Sequence, residues 1–324
     1  MKLGIIGTNW ITAQFVAAAQ ASGAYTLSAV YSRRAETAEA FIAKTAPAVA
    51  YTDLAAFLAS DLDVVYIASP NSLHAAQTLQ AVAAGKHVIV EKPMVASLDE
   101  LAAIQDALAA HPGVMVFEAA RHVHDPNFAV IRDWVATHDI AGADLRYAKY
   151  SSRYDAYLAG ENPNIFSPRF AGGALMDLGV YLVYAAVAWF GVPESAQYLP
   201  HKLANGIDGS GTARLQYPGF DVTLTAGKTF NSLAPSEIYS GRETLSFDSP
   251  GELNRVALVG EQERELTVAK AANPMADEAA DFAAIITRDD RQAAADLMAL
   301  ATKVHRVMAQ LRQSGGIDFT NNAE

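Results

Sequence analysis

The stretch VVYIASPNSLHAAQTLQAVAAGKHVIVEKP, residues 64 to 93, decides the fold. It holds two short apolar runs, Val64–Ala68 and His87–Val90, with a helical pattern over Ser72–Ala84 between them. Unbroken apolar runs of this length, without polar alternation, fit strands buried on both faces. Two such strands joined by a helix are the repeating unit of a parallel sheet. Each run ends in polar groups, Ser69-Pro70-Asn71 and then Glu91-Lys92-Pro93. In open α/β sheets, ligands bind outside the carboxyl ends of the strands. Pro93 cannot continue a ladder of hydrogen bonds, so Lys92 falls at a strand end. Taken singly, Lys92 reads as a solvated lysine and His74 as a helix-surface or capping residue.

The pattern repeats upstream and downstream. Further strands are predicted at Lys2–Ile6, Thr26–Tyr31 and Val114–Glu118, and further helices at Thr12–Ala21, Ala35–Lys44, Leu54–Ala59 and Leu98–Ala109. Residues 1–122 are therefore expected to form an α/β dinucleotide-binding domain with a parallel sheet. Its opening turn reads Gly7-Thr8-Asn9-Trp10-Ile11-Thr12. Only one glycine of the G-x-G-x-x-G fingerprint is present, and alone the turn suits any strand-to-helix connection. Phosphate binding is still permitted. Gly7 can make the tight turn, Asn9 tolerates left-handed backbone angles, and the free N–H groups at a helix start attract anions. Backbone from Thr8 to Ile11 is expected to meet a pyrophosphate, with Trp10 beside the nicotinamide. The second strand ends at Ser32-Arg33-Arg34, where an NAD site usually offers a carboxylate. Hydroxyl and guanidinium groups suit a 2′-phosphate instead, so NADP(H) is favoured over NAD(H).

After residue 122 the texture changes. A helix is expected at Asn127–Thr137, then strands at Asp144–Arg153, Ser195–Lys202, Gly211–Tyr217, Asp221–Phe230, Glu237–Ser240 and Glu243–Phe247. Pro218-Gly219 marks a hairpin turn. A helix at Ala174–Phe190 interrupts these strands, and two more, Asp277–Thr287 and Arg291–Gln313, follow them. Residues 123–324 thus read as an α+β domain with a mostly antiparallel sheet.

Composition narrows the function classes. Of the 324 residues, 51% are hydrophobic and 18% charged, an ordinary globular balance. The net charge of −11 comes without a visible basic patch, which speaks against nucleic acid as a partner. The longest apolar run, Val180–Phe190, is too short to span a bilayer, and no signal peptide is expected. No cysteine is present, so thiolate metal ligands and cysteine nucleophiles are excluded, and a cytoplasmic setting fits. No metal is expected: His122 and His124 are two imidazoles without a third ligand. Walker and G-x-S-x-G patterns are absent.

Ser69-Pro70-Asn71 with His74, followed by Gly85-Lys86-His87-Val88 running into Glu91-Lys92-Pro93, resembles the Gfo/Idh/MocA family of NAD(P)-dependent oxidoreductases. GGALMDLGVYLV, Gly172 to Val183, is similar to a second motif of that family, and EAARHVHDPNF, 118 to 128, to its Arg-containing domain boundary. The resemblance covers roughly residues 1–250. It implies a Rossmann domain followed by an open-sheet domain that makes a homodimer or homotetramer. It implies a small-molecule substrate, with neither membrane nor nucleic acid as partner. The family's catalytic lysine corresponds to Lys92, its helix-borne acid to Asp177, and its acid/base, frequently histidine, to Tyr181. Tyrosine there resembles the branch that includes dimeric dihydrodiol dehydrogenases and glucose–fructose oxidoreductases, and argues against the inositol dehydrogenase type.

Cofactor contacts are expected from Gly7, Thr8, Asn9, Trp10, Ile11, Ser32, Arg33, Arg34, Ser69, Pro70, Asn71, His74, Glu91 and Lys92. Substrate contacts are expected from Arg121 and His122 together with Lys92, Asp177 and Tyr181. Arg153, Tyr154 and Arg169 are looser candidates. Asp177 and Tyr181 are four residues apart and share one face of a helix. Gly179 inside that helix permits close approach of another backbone or of the cofactor. Hydride transfer to a carbonyl leaves charge on oxygen, which needs a proton or a cation. A nearby ammonium favours phenolate, so Tyr181 is the expected proton donor or acceptor with Lys92 tuning it; the two roles can be exchanged. Asp177 orients a substrate hydroxyl or Lys92. The expected activity is NADP(H)-preferring oxidation or reduction at a hydroxyl or carbonyl of a sugar, polyol or trans-diol. The alternatives are a non-enzymatic NAD(P)-binding regulator on the same fold, or an enzyme that keeps its cofactor through both half-reactions.

Overall fold

A computed structural model describes residues 1–319. The chain starts with β1 (Lys2–Ile6), α1 (Trp10–Ala21), β2 (Thr26–Tyr31), α2 (Ala35–Ile42), β3 (Val49–Tyr51) and α3 (Leu54–Leu58). It continues with β4 (Val64–Ile67), α4 (His74–Ala83), β5 (His87–Glu91), α5 (Leu98–Ala110) and β6 (Val116–Ala119). Next come α6 (Pro126–Val135), β7 (Gly142–Ala148), α7 (Tyr154–Leu158) and α8 (Val180–Phe190). The strands β8 (Ser195–Lys202), β9 (Asp208–Tyr217), β10 (Phe220–Gly227), β11 (Ser236–Ser240) and β12 (Glu243–Phe247) follow. After β13 (Val256–Val259) and β14 (Glu263–Glu265), the helices α9 (Ala276–Arg288) and α10 (Arg291–Gly315) close the chain.

These elements make two compact units. The first joins Met1–Arg121 to Ala271–Ala299. The second comprises His122–Lys270 and, among the described residues, 300 to 319. The sequence alone assigns residues 123–324 to one domain; residues 271–299 instead return to the first unit, and residues 320–324 lie outside the described range. The physical reason is the apolar face of α9. Phe282 stacks on Phe117 of β6 with ring centroids 4.8 Å apart, and the Tyr25 hydroxyl donates to the Ala279 carbonyl at 3.0 Å. Amphipathic periodicity announces that α9 has a buried face but not which sheet it covers.

In the first unit the sheet runs β3-β2-β1-β4-β5-β6, all parallel. β4 is buried at every position, as unbroken VVYI requires. Phe15 of α1 lies flat on Tyr66 of β4 at 3.8 Å between centroids. The strand order reverses direction between β1 and β4, and that switch point is where open α/β sheets take their ligands.

The second sheet runs β14-β13-β12-β11-β7-β10-β9-β8, antiparallel except for the β7–β10 pair. The Pro218-Gly219 turn joins β9 to β10, with Tyr217 paired to Phe220 and Gly219 at φ +87°. β7 ends at Ala148 rather than Arg153, and β10 at Gly227 rather than Phe230. α8 is buried along almost its whole length. The helical stretch Pro168–Phe190 is long and apolar enough to cross a bilayer, contrary to the estimate from Val180–Phe190 alone. Of its most apolar window, 83% is buried in the protein, which is the signature of a core helix.

Glu278 on α9 is 0% exposed, and neither carboxyl oxygen has a hydrogen-bond partner among the described residues. Burial, reinforced by the nearby Glu91 carboxyl and opposed by Arg121, pushes its pKa well above the ordinary value. A carboxyl whose folded pKa is raised loses stability as pH climbs above its unfolded pKa of about 4.3. Glu278→Gln removes that cost. The variant should melt several degrees above the native protein at pH 7, with the difference vanishing below about pH 4. Melting curves across that range check it; a gap that widens toward acid contradicts it.

Candidate active site

In the first unit, β1 passes into α1 through a turn pinned to the end of β4. Gly7 has φ +105°, and a Cβ there would lie 2.6 Å from the Ala68 carbonyl oxygen. Only glycine suits that backbone and that space. The same carbonyl accepts from Asn9 Nδ2 at 3.0 Å. Asn9 is extended (φ −85°), not left-handed as its tolerance suggested, and caps α1 by accepting from Thr12 N at 3.0 Å. The helix therefore begins at Trp10, two residues before the predicted start, and Trp10 and Ile11 occupy its first turn. Trp10 is 75% exposed. The helix start suits a pyrophosphate, because its first N–H groups have no intrahelical acceptor.

β2 is followed by Ser32, whose N–H is held by the Tyr51 carbonyl of β3 at 3.1 Å. Arg34 precedes α2 and lines a cleft of about 560 Å³ with Thr8, Glu36, Thr37, Ala40, Phe41 and Lys44. Arg33 is exposed beside it.

The ends of β4 and β5 are joined by His74. Its ring is 1% exposed, with Nε2 2.8 Å from the Ser69 carbonyl and Nδ1 2.9 Å from that of Pro93. Burial lowers its pKa, against the pull of both carbonyls. Both nitrogens of His74, a residue expected at the cofactor, are engaged by backbone carbonyls. Ser69 donates to Gln77 Oε1 at 2.7 Å, and Pro70 and Asn71 lead into a single 3₁₀ turn before α4. Glu91 is buried and accepts from the Tyr66 hydroxyl at 2.6 Å. Burial raises its pKa, countered first by the Lys92 ammonium, then by Tyr66 and Arg121. Lys92 is half-buried beside it, and Arg121 stands within electrostatic reach of both Glu91 and Glu278. Glu118, which the sequence did not single out, accepts from Met94 N at 2.9 Å and fixes the backbone just past Pro93.

In the second unit, Asp177 lies in a π-helical turn, Leu175–Gly179, that precedes α8, and Tyr181 lies in the first turn of α8. The predicted continuous α-helix is thus widened at Asp177, a distortion often found at functional sites. The turn depends on Gly172 and Gly173. A Cβ on Gly172 would lie 2.7 Å from Ile165 backbone, and one on Gly173, at φ +120°, 2.1 Å from Asp208 Oδ1. Asp208 needs that space: its Oδ2 accepts from Leu175 N at 2.6 Å and from the Tyr198 hydroxyl at 2.7 Å. Burial pushes its pKa up to about 6. A Cβ on Gly179 would lie 3.0 Å from the Leu175 side chain and 3.7 Å from Ala226 of β10, so the space it leaves is filled first by Leu175. Tyr181 is 7% exposed and packs against His122, 4.7 Å between centroids, and edge-on to Tyr147 at 5.4 Å. His122 is therefore beside Tyr181, while Arg153 and Arg169 lie exposed at the surface. Tyr154 packs against Phe166. Asp177 Oδ2 is held at 2.7 Å by the Nζ of Lys228, a residue no sequence signal marked.

Gly173→Ala should lower the melting temperature more than Gly219→Ala. Both have positive φ, a cost of about 1–2 kcal/mol for a side chain, but a Cβ at Gly219 meets nothing within 4 Å. Equal losses in the two variants would contradict the tight seating of Asp208 against Gly173.

Residues 1–119 match the family model described as "Oxidoreductase family, NAD-binding Rossmann fold", GFO_IDH_MocA. The chain is 39% identical to the uncharacterized oxidoreductase YgjR of Escherichia coli K12, across 98% of both chains. It is 36% identical to the scyllo-inositol 2-dehydrogenase (NADP(+)) IolU of Bacillus subtilis 168, again across 98% of both. Among solved structures, the 3-ketoreductase KijD10 of Actinomadura kijaniata, in complex with NADP and TDP-benzene, superposes with a TM-score of 0.85 over 97% of each chain at 20% identity. That likeness concerns the fold alone. With the glycine turn, the strand-end residues and these full-length relatives together, the chain belongs to the Gfo/Idh/MocA family of NAD(P)-binding oxidoreductases, dehydrogenases and reductases that act on hydroxyl and keto groups.

Proposed function

We propose that the protein is an NADP(H)-preferring oxidoreductase that interconverts a hydroxyl and a carbonyl on a sugar, polyol or trans-diol. The observation that carries the cofactor preference is the cleft beside α2. Arg34, Lys44, Thr37 and Thr8 line it, and β2 is followed by Ser32-Arg33-Arg34 where an NAD site would present a carboxylate. Guanidinium, ammonium and hydroxyl groups are the donors a 2′-phosphate requires. The full-length relative named as an NADP(+)-dependent scyllo-inositol dehydrogenase supports both the cofactor and the polyol class. It also weighs against the expectation that Tyr181 disfavours an inositol-type substrate.

When bound, the nicotinamide supplies or accepts the hydride. The turn from Gly7 to Ile11 would hold the pyrophosphate with backbone N–H groups, and the ends of β4 and β5 would bound the cofactor's other side. On the substrate, Tyr181 donates or accepts the proton at the reacting oxygen, with its ring fixed by His122 and Tyr147. The Lys92 ammonium stabilises charge on that oxygen, and Asp177 accepts a hydrogen bond from a substrate hydroxyl. Lys92 and Tyr181 can exchange the proton-donor role. The proposal includes a homodimer or homotetramer through the second sheet. In support, one face of β8 and β9 buries Tyr198, Ala213 and Leu215, while the other leaves Leu199 77% exposed beside Thr212, Arg214 and Gln216.

A panel of polyols, sugars and trans-diols, followed at the nicotinamide absorbance with NADP+ and NAD+, tests the reading. NADP+ should give the higher kcat/KM, and Arg34→Ala should cut that preference about 10-fold or more. Higher kcat/KM with NAD+ would overturn the cofactor reading. Tyr181→Phe and Lys92→Met should each lower kcat by about 100-fold or more with cofactor Kd nearly unchanged. Turnover within a few-fold of native in either variant removes that residue from the mechanism.

A further inference from the structure

We infer that Lys228 is the positioning residue of the site: it holds the Asp177 carboxylate in one orientation, so that Asp177 selects substrates bearing a hydroxyl next to the reacting carbon. This rests on the reading of Asp177 given above.

Lys228 lies directly after β10 and is 1% exposed. A buried ammonium is costly unless paired and hydrogen-bonded. Its Nζ lies 2.7 Å from Asp177 Oδ2, donates to the Ile165 carbonyl at 3.2 Å, and sits 4.8 Å from the centre of the Phe166 ring. The backbone on either side is fixed as well. Lys228 N donates to Gly209 O at 2.8 Å, and Ser151 N donates to Lys228 O at 2.9 Å. The chain thus builds a buried socket for one cation.

Asp177 is the partner that keeps contact with solvent, its side chain 31% exposed. The other carboxyl within Lys228's electrostatic reach, Asp208, is fully buried and committed to Leu175 N and Tyr198. One end of the ion pair is therefore sealed and the other faces outward. A carboxylate anchored at its Oδ2 loses rotamer freedom before substrate arrives, so less ordering is needed on binding. Paired with an ammonium, the carboxylate accepts and does not donate. The substrate group it recognises is a donor, which on a polyol is a neighbouring hydroxyl. A deoxy analogue leaves that acceptor unmatched, and sites built to bond a hydroxyl discriminate strongly against its absence.

The test uses holoenzyme with NADP+ and the most active polyol of the panel. Lys228→Met should lower kcat/KM about 10- to 100-fold, as loss of an outer-shell partner commonly does, while NADP+ Kd stays within about twofold. Asp177→Asn should lower it at least as much, and the double variant should be no worse than Asp177→Asn alone. Native enzyme should reject the corresponding deoxy polyol, and both single variants should lose that discrimination. If Asp177→Asn is harmless, the reading of Asp177 fails and the inference falls with it. If Asp177→Asn is severe and Lys228→Met is not, the inference alone is overturned. Where Lys228→Met does not fold, nitrogen NMR of the lysine ammonium groups decides. The Lys228 resonance should exchange slowly with water in the native protein and in Tyr181→Phe, and fast in Asp177→Asn; equal rates in all three overturn the pairing.

Discussion

The imidazole of His74 is the constraint on which the first unit's site depends. It bridges the carbonyls that follow β4 and β5, at Ser69 and Pro93. Both partners are acceptors, so two hydrogen bonds require two N–H groups, and only the imidazolium has them. Burial pulls the other way and lowers the pKa. The ring is therefore held between two demands, and a neutral ring satisfies one carbonyl at a time. Everything presented at this edge is strung from those two strand ends: Ser69 with its bond to Gln77, Glu91 with its bond to Tyr66, Lys92, and the backbone fixed by Glu118. The β1–α1 turn is pinned to the same edge through the Ala68 carbonyl.

The second unit solves the equivalent problem with charge. Asp208 caps the turn at Leu175, Gly172 and Gly173 make room for it, and Lys228 pairs with Asp177 within electrostatic reach of that buried carboxyl. The apolar packing of α8 supplies the bulk of the core, but it does not specify where Asp177 points. The polar cluster does, at the expense of burying Asp208 and Lys228. Partly paired groups in a low dielectric are intolerant of change.

Much of this was legible in the sequence. Buried parallel strands announce themselves as unbroken apolar runs, and VVYI and HVIV were located to within a residue or two. The edge strands β3 and β14 were missed because three residues are too short to carry a period. The site divides along a similar line. Residues at strand and helix ends, such as Lys92, Asp177 and Tyr181, sit in local patterns. Lys228 and Glu278 do not. A lysine after a glycine, or a glutamate in the first turn of a helix, reads as solvated, and only tertiary packing buries it.

The return of residues 271–299 to the first unit bears on how the protein is made. Phe282, Ala279 and Met275 complete a core that also contains Phe15, Tyr66 and Phe117. On a ribosome, the amino-terminal sheet emerges first, and the helix that covers it comes only after the whole of β7 to β14 has been synthesised. Until then Phe117 lacks its stacking partner and an apolar face of the sheet is bare. Domains that are contiguous in sequence can fold one after another during synthesis. This chain closes its first unit almost last, so its amino-terminal sheet must survive partly uncovered, or await the second unit, before either is finished.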